Sequence, residues 1–140
     1  MQRVLRAAVT VDGETVSEIG AGLVVLLGVT QTDTEGDAER LARKVRALRV
    51  FSDADGRMND PLGDREILCI SQFTLYGDTR RGNRPSYVAA AARAHAEPLY
   101  EHFCSRAAAK HGVFGADMQV ELLGDGPVTL LIEYPAPDVA

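Results

Sequence analysis

Apolar residues alternate with other residues in short segments near both ends of this chain, whereas from Thr34 they recur at every third or fourth position. That switch of period calls for a sheet combined with two helical regions. Val9 and Val11 alternate ahead of Asp12-Gly13, and Val16 follows shortly after, so a β-hairpin turning at Asp-Gly is expected. Leu23 to Gly28 reads as a buried strand. From Thr34 the period changes: Ala38, Leu41, Val45 and Leu48 share one helical face, Arg40, Arg43, Lys44 and Arg46 face elsewhere, and Thr34 with Asp37 makes a candidate capping box. The β-branched and aromatic content of Ile67 to Tyr76 predicts a central strand. A second helical region is expected over Ser86 to His111, with Pro98 at a helix start or a kink. Met118, Val120 and Leu122, then Val128, Leu130, Ile132 and Tyr134, predict two antiparallel strands joined at Gly124-Asp125-Gly126-Pro127. Strands in groups with helices between the groups indicate a single α+β domain over residues 1–140 with a mixed, largely antiparallel sheet.

Composition narrows the function. The run Ala21 to Val29 is far shorter than the roughly 20 apolar residues that span a bilayer, and the expectation is a soluble, cytoplasmic protein without a membrane role. A net charge of -5 argues against a chain that grips long stretches of phosphate backbone, DNA included. Arg80-Arg81-Gly82-Asn83-Arg84 is the exception, with three positive charges in five residues, enough to touch a few phosphates at a nucleic-acid end although such loops are more often simply solvated. Cys69 and Cys104 read as buried thiols, and His95, His102 and His111 as surface histidines without partner ligands at metal-binding spacing. Ser52 to Arg57 resembles a calcium loop but lacks its downstream Glu, so a turn is expected there. Phosphate-binding Gly-rich loops, a GxSxG elbow and HExxH are all missing, and neither a metal nor a cofactor is expected.

Two polar segments in strand-like surroundings remain. Ser71-Gln72-Phe73-Thr74-Leu75 would, as a regular strand, put Gln72 and Thr74 on one face with no base nearby in sequence, and ordinary alternation explains it equally well. Gly126-Pro127 reads either as a plain turn or as bare, rigid backbone suited to packing against a substrate's α-carbon.

These same segments carry a resemblance. With Gln2-Arg3-Val4, the run from Val50 to Ala54, Asp78-Thr79-Arg80, Arg84-Pro85-Ser86 and Phe114 to Val120, the chain resembles the D-aminoacyl-tRNA deacylases along nearly its whole length. The resemblance implies a barrel-like sheet and a homodimer in which Gly126 and Pro127 of each subunit enter the partner's pocket as a cis peptide and reject L-amino acids. It implies that Ser71, Gln72, Phe73 and Thr74 form the catalytic wall that receives the aminoacylated end of tRNA. Phe114 and Met118 are carried over as further lining, and Arg3 as the side chain that holds the Gly-Pro segment. Gly124 departs from the family's usual Asn. A related deacylase type that removes L-alanine has a trans Gly-Pro bond, and Phe73 and Val128 favour the D-specific type. A non-catalytic module for the tRNA end is the alternative from another class.

Overall fold

A computed structural model describes residues 1–135. The order is β1 (Gln2–Val11), β2 (Glu14–Ile19), β3 (Gly22–Leu27), α1 (Glu35–Ala47), β4 (Phe51–Ser52), β5 (Met58–Asp60), β6 (Glu66–Ser71), a 3-10 helix (Phe73–Tyr76), α2 (Arg93–Ala107), β7 (Lys110–His111) and β8 (Gln119–Thr129). The main sheet runs β2-β1-β3-β6-β7, with β8 on the other edge of β1. Pairs made by β1 are antiparallel, whereas β3 with β6 and β6 with β7 are parallel. The sheet is mixed and nearly closed into a barrel.

Parallel neighbours need long crossovers, and the two helices supply them on one face. Leu23, Val25, Leu27, Ile67 and Cys69 point to that face and pack against Ala42 and Val45 of α1 and Tyr100, Phe103, Cys104 and Ala107 of α2. Their neighbours Val24, Leu68 and Ile70 point the other way and join Val4, Ala7, Val9 and Ile19 in a second core. β3 and β6 are therefore covered on both faces, which explains their unbroken apolar composition. Burial pushes the Cys69 thiol up, so it remains a protonated core residue, and both cysteines are free.

The Asp12-Gly13 hairpin forms, with positive φ at both residues, and α1 begins at Thr34 with the full capping box. Asp53 Oδ1 accepts from the backbone N–H groups of Asp55 and Arg57, making Ser52 to Arg57 the tip of a small hairpin.

Three expectations need correction. The strand expected over Ile67–Tyr76 stops at Ser71, because its partner β3 stops at Leu27 and the chain then turns into the 3-10 helix. The helix expected from Ser86 begins only at Arg93: residues ahead of it are held by the β3–α1 connection, with Ala91 N–H donating to Val29 O at 2.9 Å. It ends at Ala108, which adopts the left-handed conformation, and Lys110–His111 becomes a strand. Pro98 lies within α2. Finally, the two expected C-terminal strands do not form an antiparallel pair: the first segment and the start of the second lie in one strand, β8, along β1, and the strand ends at Thr129, short of Ile132 and Tyr134. The Gly-rich stretch is therefore a bulge and not a reversal.

Replacement Thr34→Ala should remove the reciprocal cap and cost about 1 kcal/mol, lowering Tm by about 3 °C in thermal denaturation; an unchanged Tm would mean that packing alone fixes the start of α1.

Candidate functional site

The chain leaves β6 where Gln72 N–H donates to Leu27 O at 2.8 Å, closing the ladder one step past the last strand pair. The turn that follows presses on Gly28. A Cβ at Gly28 would lie 3.1 Å from the Tyr76 ring, 3.3 Å from Gln72 O and 3.3 Å from Leu75 Cβ, so a larger residue here would have to push the 3-10 helix slightly outward. Leu75 N–H bonds Gln72 O and Gly77 N–H bonds Thr74 O. The N–H groups of Phe73 and Thr74 have no backbone partner among the described residues and lie at the open start of this turn.

Ser71 and Gln72 are half-buried, whereas Thr74 is exposed and Phe73 is 56% exposed. Gln72 Nε2 donates to Thr74 Oγ1, so the strand alternation expected from sequence gives way to a direct contact within the turn. The partner of the hydroxyl is an amide whichever way the Gln72 side chain is oriented, and an amide is no base at neutral pH. Together with Glu133, Asp33 is a carboxylate whose field reaches Tyr76. Its Oδ2 accepts from Thr30 N–H at 2.8 Å, and burial raises its carboxyl above the usual range.

Phe114 reaches this end of the sheet. It packs with Val29, Ala91, Ala96 and Leu99, its ring lies 5.7 Å from that of Tyr100, and the Arg93 guanidinium sits 5.4 Å above it. Met118 is placed differently, against the second core that contains Ile70 and with its sulfur beside Gly112. The two expected lining residues thus approach β6 from opposite faces.

Gly126 and Pro127 are exposed and joined by a cis bond. Their position follows from register: Gln2 pairs with Thr129 and Val4 with Gly124, so two steps along β1 oppose five along β8, and the surplus is thrown outward. Gly126 has φ +125°, a conformation that L side chains rarely adopt. Arg3 fastens the base of the bulge. Its Nη1 donates to Val50 O at 2.7 Å, its Nε donates to Asp125 O at 3.2 Å and pairs with Asp125 Oδ2 at 3.2 Å, and its side chain is only 12% exposed. A Cβ on Gly126 would meet Arg3 Nη2 at 3.1 Å. At Gly124 a Cβ would meet nothing within 4 Å, so the missing Asn leaves open space.

One chain does not bring the two halves of the site together. Arg3 pairs with Leu23 while Ser71 pairs with Leu27, so the Gly-Pro bulge lies three strand spacings across and about four residues along the sheet from Ser71. Those steps amount to roughly 20 Å measured along the sheet. A groove of about 420 Å³ between α1 and residues 129–134 reaches the turn only at Leu75 and Tyr76. Sequence reasoning missed Gly28, whose only signal was its place at the end of an apolar run, and the Val50 carbonyl and Asp125, which have no signature apart from the fold.

The family model described as D-Tyr-tRNA(Tyr) deacylase matches residues 1–133. A D-aminoacyl-tRNA deacylase of Thermus aquaticus is 55% identical over 95% of this chain and 92% of its own length. One of Myxococcus xanthus is 49% identical over 98% of this chain and 94% of its own. Among solved structures, one described as c-Myc DNA Unwinding Element Binding Protein superposes with a TM-score of 0.90 at 43% identity, covering 96% of this chain and 97% of that one. A probable eukaryotic D-amino acid tRNA deacylase shares the fold, with a TM-score of 0.76 at 15% identity over 90% of this chain and 92% of its own. Matched end to end by the family model and at about half identity by these relatives, the chain belongs to the D-Tyr-tRNA(Tyr) deacylase family.

Proposed function

We propose that this protein hydrolyses the ester joining a D-amino acid to the terminal ribose of tRNA, and that it works as a homodimer in the cytoplasm. The observation that carries the reading is the whole-chain match to deacylases of that name at about half identity. The site geometry fits the chemistry. Ester hydrolysis passes through a tetrahedral oxyanion, and the free N–H groups of Phe73 and Thr74 are preorganised donors for it. Thr74 has an amide for a partner and no base, so it is poorly equipped as a nucleophile. The neighbouring ribose hydroxyl of the substrate then assists attack by water, with the protein supplying position and main-chain dipoles. Ser71, Gln72 and Phe114 wall the aminoacyl end on this reading, and Met118 supports β6 from beneath.

The chiral filter is Gly126-Pro127 of the partner subunit's copy. Separation along the sheet keeps the bulge away from its own chain's Ser71–Thr74 turn, while its exposure and the Arg3 clamp make it a stiff projection. Association has a surface to use. β8 pairs only with β1 among the described residues, and Leu5, Leu122, Leu123, Leu130 and Leu131 are exposed on and around it, Leu131 at 76%. Exposed apolar side chains beside an open strand edge favour pairing with another copy. Backbone filling the space of an L side chain excludes L-amino acids and admits D-amino acids and glycine, so glycyl esters on mismatched tRNA are second substrates. No metal or cofactor takes part in this scheme. The DNA named for the solved relative at 43% identity is a weaker reading here, given the net charge of -5.

Purified protein, with chelator present, should release tyrosine rapidly from D-tyrosyl-tRNA while leaving L-tyrosyl-tRNA intact, and it should sediment as a dimer. Cleavage of both esters, or of neither, sinks the D-specific assignment. Thr74→Ala should retain most of kcat if the ribose hydroxyl assists; complete loss of turnover with substrate still bound would restore the nucleophile.

A further inference from the structure

The loop between the 3-10 helix and α2 is set apart from an otherwise acidic chain by its charge, its exposure and its attachment. Arg80, Arg81 and Arg84 lie within five residues, and residues 79–89 are all exposed. The loop is nevertheless fastened at its base. Asp78 and Ser86 exchange two backbone hydrogen bonds of 2.8 and 2.9 Å, making a short antiparallel bridge below the arginines. Beyond the bridge, the Tyr87 ring packs edge-on against Phe73 with centroids 5.0 Å apart. Gln31 Nε2 donates to Val88 O at 2.7 Å and to Ala90 O at 3.2 Å, and Thr30 Oγ1 donates to Ala89 O at 2.6 Å. The arginines are thus carried on a braced strap joined directly to the Ser71–Thr74 turn.

Their charges are not equivalent. Arg80 is bound to Asp78 by its backbone N–H, its Nε and its Nη2, with the shortest contact 2.6 Å, and this holds the Asp78 carboxyl at about 2. Arg80 is therefore neutralised locally and braces the loop. Arg81 and Arg84 have no carboxylate partner among the described residues. Several basic side chains elsewhere are engaged, Arg40 with Tyr134, Arg46 with Ala107 O, Arg93 with Glu97, Arg106 with Glu39 and Lys110 with Glu66, and those that are not among the described residues, Arg43, Lys44 and Arg57, lie on α1 and the β4–β5 turn rather than on the strap.

Two uncompensated guanidinium groups held beside a site for a nucleoside ester suit the next charged groups along the same substrate. Guanidinium forks match phosphate oxygens in geometry as well as charge. We propose that Arg81 and Arg84 bind backbone phosphates of the tRNA acceptor end while its aminoacylated terminal nucleoside occupies the Ser71–Thr74 turn. The assignment rests on the deacylase reading above. It divides the labour at the site: the turn recognises the ester, and the strap recognises that the ester is attached to a polynucleotide.

The test compares D-tyrosyl-tRNA with 3′-O-(D-tyrosyl)adenosine, which carries the same ester and no phosphate. For the double variant Arg81→Ala/Arg84→Ala, KM for the tRNA should rise about tenfold near 0.1 M salt, and the slope of log kcat/KM against log salt should become shallower by about 1.4 for two single-strand phosphate contacts. Its kcat on the tRNA and its rate on the nucleoside ester should stay at the wild-type level. Arg81→Lys/Arg84→Lys should recover much of the lost affinity, since charge is retained. An equal loss on both substrates, or no change on either, overturns the proposal. Failure of the wild-type protein on both esters would overturn the deacylase reading instead.

Discussion

The register between β1 and β8 is the constraint on which the candidate site depends. β1 is bonded along both edges, by β8 on one side and by β2 and then β3 on the other. In the mismatch between Gln2–Val4 and Gly124–Thr129 the surplus residues fall on β8. Arg3 sits at the base of that surplus and is itself a β1 residue. The same strand therefore creates the bulge and supplies the side chain that holds it. An unpaired hydrogen-bonding group left in such a half-buried place costs about 1–3 kcal/mol, which gives the Arg3 contacts to Asp125 O and Val50 O more weight than a surface ion pair.

Around this strand the two halves of the proposed site have different physical origins. The Ser71–Thr74 turn exists because two parallel strands end together and Gly28 allows the chain to fold back on them. The Gly126-Pro127 projection exists because two antiparallel strands disagree in length. Neither contains an ionisable side chain, and the reaction assigned to them needs none. In the proposed scheme shape selects the substrate's hand, and backbone dipoles stabilise its transition state.

Much of this was legible in the sequence where local chemistry decides. Asp12-Gly13 and the Thr34–Asp37 box specify a turn and a helix start through their own hydrogen bonds, and both formed as read. The strand at Leu23 was equally plain, off by one residue at each end. Misreadings occurred where a neighbour decides. Phe73–Tyr76 has strand composition, yet it turns because β3 has ended beside it. Residues 86–92 are Ala-rich, yet Thr30, Gln31 and Val29 hold their backbone groups and delay the helix to Arg93. A Gly-Asp-Gly-Pro run looks like a reversal, and only the presence of β1 beneath both flanks makes it a bulge. Spacing left the site residues as ordinary strand and turn, and their family resemblance singled them out. The amide contact between Gln72 and Thr74 and the clamp between Arg3 and Val50 belong to the folded chain alone.

The pairing of β1 with β8 also orders events during synthesis. Met1 and Leu130 exchange hydrogen bonds across 129 residues of sequence, among the longest separations a chain of this size can close. β1 is made before its partners and can take up β2 and β3 at once, but its other edge stays bare until the distant β8 has been made. Contacts of such separation form slowly, and an unpaired edge is exposed to wrong partners while it waits. Until then the backbone N–H and C=O groups along that edge of β1 are a surface the nascent chain must protect. The Gly-Pro projection, made only by that final pairing, is the last part of the molecule to take shape.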